Sequence, residues 1–106
     1  LFRSALAASE PTVRLPALAV VARLPMAHPA LTAGLTTAVR APLEPSPVSD
    51  EAVLRLQAAL AHAPRLGALA GEFERWRDAV ADLTGTRAAL VRHLCDNILD
   101  KLASPG

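Results

Sequence analysis

Residues 64–83 read PRLGALAGEFERWRDAVADL. The large apolar residues are Leu66, Leu69, Phe73, Trp76, Val80 and Leu83, at steps of three, four, three, four and three. That rhythm places all six on one stripe of an α-helix, and the period of two of a strand cannot produce it. The spacing predicts a helix over 64–83. Trp76 is the only tryptophan and Phe73 one of two phenylalanines, so most of the aromatic mass lies on this stripe. Aromatic burial dominates the energetics of a small core. Between the stripe residues stand Glu72, Glu74, Arg75, Arg77, Asp78 and Asp82, the pattern of a solvated face.

On the N-terminal side, Ser49 is placed to cap a helix whose first turn carries Asp50 and Glu51, favourable against the helix dipole. Its apolar stripe is Val53, Leu56, Leu60 and Ala63, with Leu54 beside it, and His62-Ala63-Pro64 breaks the pattern. On the C-terminal side, Gly85 is expected to cap the central helix and Thr86 to cap the last one, residues 87–102. The last stripe is Val91, Cys95, Ile98 and Leu102, widened by Leu90, Leu94 and Leu99. The loop around Thr84-Gly85-Thr86 is short, and short loops join antiparallel neighbours. The expectation is an all-α fold. Residues 49–102 form an antiparallel up-down-up core of three helices, with Trp76 near the middle of the longest, and 103–106 form a tail.

Short proline-bracketed helices precede this core. Residues 2–9 suit a short helix, ended by Glu10-Pro11. Pro16 and Pro25 bracket a piece in which Pro16 reads as the first helical residue and Pro25 as the stop. This piece is apolar all round, so it has to be covered on more than one side, although Val20-Val21 also suits a strand. Pro29 opens ALTAGLTTAVR, with Leu31, Leu35, Ala38 and Val39 on one face and Gly34 in mid-helix. Residues 41–48, APLEPSPV, hold Pro42, Pro45 and Pro47 and read as an extended connector of polyproline character.

At 106 residues the chain is one domain or a piece of one. It can bury only about two-thirds of its unfolded surface. Hydrophobic residues make up 52%, which requires a surface rich in alanine, a covering partner, or both. The net charge of +1 argues for neither nucleic acid nor membrane attraction. Its distribution is uneven. Residues 1–43 hold Arg3, Arg14, Arg23 and Arg40 against Glu10 alone, and the later residues carry an excess of acids. A front rich in Leu, Ala, Ser and Arg and poor in acids has the composition of a mitochondrial transit peptide. The chain begins at Leu1, from which removal of an upstream piece is expected. Leu1-Phe2-Arg3 resembles the tripeptide that opens LYR-motif proteins, small three-helix mitochondrial subunits, and no other part of the chain extends the resemblance. The uncharged run from Leu15 to Ala22 stops at Arg23, far short of the roughly 20 residues a membrane span needs.

The chemistry-bearing residues are few. Cys95 is the only cysteine and permits no internal disulfide. His93, Cys95, Asp96 and Asp100 lie close in sequence, but His93 and Cys95 diverge on a helix, and no second His/Cys pair exists to complete a metal site. Cys95 reads instead as a small core residue. The carboxylates of 72–82 interleave with Arg75 and Arg77 as salt-bridged surface. There is no Gly-rich phosphate loop, nucleophile elbow or zinc-finger spacing. Arg14, Arg23 and Arg40 are spread through apolar sequence, so nucleic-acid contact is expected only within a ribonucleoprotein assembly. No cofactor or metal is expected.

These observations point to a non-enzymatic accessory subunit that works through contacts with other protein subunits of a larger complex, in a mitochondrial setting. The expected partner-binding region is the apolar, basic segment 1–40, in particular Arg14, Leu18, Val20, Val21, Arg23 and Leu24, carried away from the bundle by the connector. The alternative is a regulatory or ligand-holding helical domain of an enzyme, with His93 and Asp96 contacting the ligand.

Overall fold

A computed structural model describes residues 11–23, 29–40 and 46–103. Among them are five α-helices and no strand: α1 Pro11–Val21, α2 Pro29–Arg40, α3 Asp50–Ala61, α4 Ala70–Val80 and α5 Thr86–Ala103. Two 3-10 turns, Ala63–Arg65 and Gly67–Leu69, join α3 to α4. The fold is all-α. The helix expected at 2–9, the Leu1-Phe2-Arg3 tripeptide, most of the connector and the end of the tail lie outside the described residues. No described helix is long and apolar enough to cross a membrane.

α3 starts where its cap predicts. The Ser49 hydroxyl accepts from the Ala52 N–H at 3.2 Å, with Asp50 and Glu51 in the first turn. This helix is the hub of the molecule. α1 and α2 both lie against it, and so does α5, which in turn packs against α4. A single cluster of buried side chains runs through all five helices, including Leu18 and Val21 of α1, Leu35 and Val39 of α2, Leu56, Phe73, Trp76, Val91 and Ile98. The front helices therefore share the core of the back half instead of standing apart from it. The end of the connector is also tied down, because the Trp76 indole N–H donates to the Pro47 carbonyl at 3.0 Å.

Three expectations about element ends are corrected. First, the stripe helix is α-helical only from Ala70. Leu66 and Leu69 are buried as expected, but Leu66 lies between the two 3-10 turns and Leu69 ends the second. Pro64 has no N–H to continue a ladder, and Gly67 is a poor helix former, so the stretch before Ala70 does not hold α geometry alone. The longest helix is therefore α5, at 18 residues. Second, α1 begins at Pro11 and runs through Pro16. Pro11 takes the tolerated first position, and the interior Pro16 gives up one ladder bond while Ala17, Leu18 and Val21 reach the core. Third, Leu83 is 40% exposed, because α4 ends at Val80.

Gly85 does not cap α4. The Arg92 guanidinium does so, donating to the carbonyls of Val80 and Leu83 at 2.8 Å each. Gly85 instead precedes α5, its carbonyl accepting from the Ala89 N–H at 3.1 Å. Its φ of 105° is one that L side chains rarely adopt. A Cβ there would meet nothing within 4 Å, so any penalty is purely backbone. Gly85→Ala should destabilise the fold by about 1–2 kcal/mol. An unchanged urea midpoint would show that the turn relaxes freely.

The high apolar content is resolved in part by alanine. Ala33, Ala61, Ala68, Ala79, Ala81, Ala89 and Ala103 are all exposed. Among the described residues the exposed large hydrophobics are Val20, Leu83 and Leu90.

Candidate functional site

The expected partner-binding residues separate once placed. Leu18 and Val21 are fully buried in the chain's own core and offer nothing to a partner, contrary to the expectation of an uncovered side. α3 supplies the cover, since its small residues Ala52, Ala58 and Ala59 are buried and let neighbouring helices approach. Val20 is 42% exposed, and Arg23 is exposed just beyond the end of α1. Arg14 falls in the first turns of α1, where side chains lie outside the described residues. Leu24 lies outside them altogether.

α1 is pinned at its C-terminal end by His62, whose sequence position marks only a helix break. His62 is buried, and its ring Nε2 lies 3.0 Å from the Val21 carbonyl. A carbonyl can only accept, so Nε2 carries the proton and donates. The bond satisfies one of the carbonyls left over at the end of α1. At the other end of α3, Arg87 of α5 pairs with Asp50 at 2.7 Å and donates to the Val48 carbonyl at 3.3 Å. The N-terminal turns of α3 and α5 thus lie together.

α1 and α5 both rest on α3 without packing extensively on each other. Two helices lying against a third in this way leave a groove between them, floored by the third. That groove is present, with a volume of about 590 Å³. Its floor is Leu54, Gln57, Leu60 and Ala61 of α3, and its walls are Ala19, Ala22 and Arg23 on one side and Leu94 and Lys101 on the other. The floor residues at 54, 57 and 61 share a helix face and span about two turns, roughly 10 Å. The lining is mostly apolar, with Gln57 on the floor and Arg23 and Lys101 in the walls as its polar members. Of these nine residues the sequence reading singled out only Arg23 as a contact. A usable signal was there. Leu54, beside the main stripe of α3, showed that α3 is apolar on more than one side and so offers more surface than one neighbour covers.

The other candidates have local explanations. Cys95 is buried as expected. His93 lies exposed, its ring nitrogen 3.1 Å from the Asn97 amide nitrogen. Asp96 is exposed and faces Arg77 at 3.4 Å. Glu72 pairs with Arg75 at 2.5 Å on the wet face of α4. Among the described residues no three His, Cys, Asp or Glu side chains are grouped to hold a metal ion.

Burial pushes the Cys95 thiol up from 9.0 to about 12, with the Asp96 carboxylate adding to the rise and the Arg77 guanidinium opposing it. The unfolded chain then releases this proton near pH 9, while the folded chain holds it to about pH 12. The folded state binds more protons in that window, so stability falls as pH rises through it. Cys95→Ala should lack this component, giving a shallower loss of stability above about pH 9 in urea titrations. Parallel slopes for the two proteins would show that the thiol ionises in place. Comparison of the chain with protein-family models, with curated proteins and with solved structures finds no match.

Proposed function

We propose that this chain is a non-enzymatic accessory subunit that binds another protein through the groove between α1, α3 and α5. The observation that carries the reading is the groove itself. Its floor is a two-turn face of α3 that is apolar except for Gln57, with Arg23 and Lys101 in the walls, a layout in which another protein's helix can seat an apolar face. An apolar centre with a polar rim, arginine among the rim residues, is the usual anatomy of a protein interface. In this reading Arg23 keeps the role expected of it from the sequence, the buried Leu18 and Val21 drop out, and the outer face of α3 takes their place. The arginine-rich, acid-poor composition of residues 1–43 supports a mitochondrial setting.

The test uses neutral substitutions that fill the groove. Ala61 is exposed and Ala22 half-buried, and both line it. In extracts of cells making the protein, the wild type should elute from a sizing column in a species several times heavier than the free protein. Ala22→Gln combined with Ala61→Gln should elute alone, with unchanged helicity by circular dichroism. A wild type that itself elutes alone, or a double variant that stays in the heavy species, removes the reading. A fluorescent fusion excluded from mitochondria removes only the compartment.

A further inference from the structure

The groove has a charge as well as a shape. Arg23 and Lys101 are its only charged lining residues, and both are cations. Both are exposed, and neither forms an ion pair among the described residues. Most other described arginines are engaged. Arg55, Arg75, Arg77 and Arg87 meet carboxylates, and Arg92 meets two carbonyls. Arg40 and Arg65 also form no ion pair among the described residues but stand outside the groove. Arg23 follows the last turn of α1 and Lys101 lies in the last turn of α5, so the groove carries its positive charge where two helices end.

Resting on the docking reading above, we infer that the occupant is an acidic amphipathic helix of another protein. Its apolar face lies on Leu54, Leu60 and Leu94, and its flanking carboxylates meet Arg23 and Lys101. Complementary charge at the rim of an interface selects the partner and speeds encounter more than it adds affinity. A free anionic amphiphile such as a fatty acid fits less well, because small-molecule sites enclose most of their ligand and this groove is open along one side. A second copy of the chain also fits less well. The most acidic described helix face, on α4, backs an apolar stripe of Phe73, Trp76 and Val80 that is already buried.

The experiment uses the full chain and three fluorescent probes. One is a helical peptide with leucines at heptad spacing and glutamates flanking them. The second has the same leucines flanked by lysines. The third is a labelled dodecanoate. The glutamate peptide should bind at least about tenfold more tightly than the lysine peptide, with a preference that weakens as salt is raised. Arg23→Glu combined with Lys101→Glu changes two exposed side chains and should leave the helicity intact. It should reverse the preference between the two peptides. Equal binding of both peptides, lost in the Ala22→Gln/Ala61→Gln variant, overturns the acidic partner and leaves the docking reading standing. Binding of dodecanoate alone, or of no probe, overturns both.

Discussion

Replacing Trp76 with alanine is expected to destabilise the fold by about 3–5 kcal/mol, the range for truncating a buried aromatic. Trp76 is 7% exposed and sits in the buried cluster with Phe73 and Val80. Its indole N–H also holds the Pro47 carbonyl. Pro47 belongs to the turn in which the Ser49 N–H donates to the Ser46 carbonyl at 3.2 Å and the Val48 N–H to the Ser46 hydroxyl at 3.1 Å. Ser49 then caps α3. Trp76 thus couples α4 to the start of the hub helix. In a domain of this size the loss should lower the melting temperature by upwards of about 12 °C. Trp76→Phe keeps most of the ring and removes the N–H, so it should cost about 1–2 kcal/mol. A melting temperature that barely moves for Trp76→Ala would mean that the indole contributes neither packing nor the tether.

The second large effect is expected at Arg55. This arginine is fully buried, and its Nε donates to Glu51 Oε2 at 2.9 Å, with one terminal nitrogen on the same oxygen. Glu51 itself is only 6% exposed. Removing one partner of a buried ion pair is costly, because bonds that offset the desolvation of both groups are lost. Arg55→Met should therefore destabilise by about 3–5 kcal/mol, well beyond the few tenths usual for an exposed i,i+4 pair. Because the bonds between the two side chains can be lost only once, Glu51→Met combined with Arg55→Met should cost less than the sum of the two single losses. Chemical denaturation of the two single variants and the double completes the cycle. Additive losses would show that the two residues do not act as a pair.

Much of the architecture was legible in the chain itself. The steps of three and four from Leu66 to Val80 identified the core stripe, because only a 3.6-residue period puts those side chains on one face. The Ser49 cap, the proline opening α2 and the buried Cys95 followed from local rules as well. Each depends on atoms within a turn or two of sequence, and such rules hold wherever the rest of the chain goes.

Other features were decided only by tertiary contacts. The Glu51–Arg55 spacing was visible, but Glu51 read as an ordinary first-turn acid. Nothing local says that α1, α2 and α5 will close around α3 and take both charges out of water. The same closure buried Leu18 and Val21, which looked like a binding face only while α1 was considered without α3. It made His62, a helix break in sequence, into the tether of α1. It also gave the cap of α4 to Arg92, twelve residues past Val80, instead of to the nearby Gly85. The groove is the clearest case. Its nine lining residues come from three helices and the turn that follows α1, and none is unusual in its own segment. The concavity exists because α1 and α5 share α3 as a support, a geometric relation that no periodicity along one chain can encode.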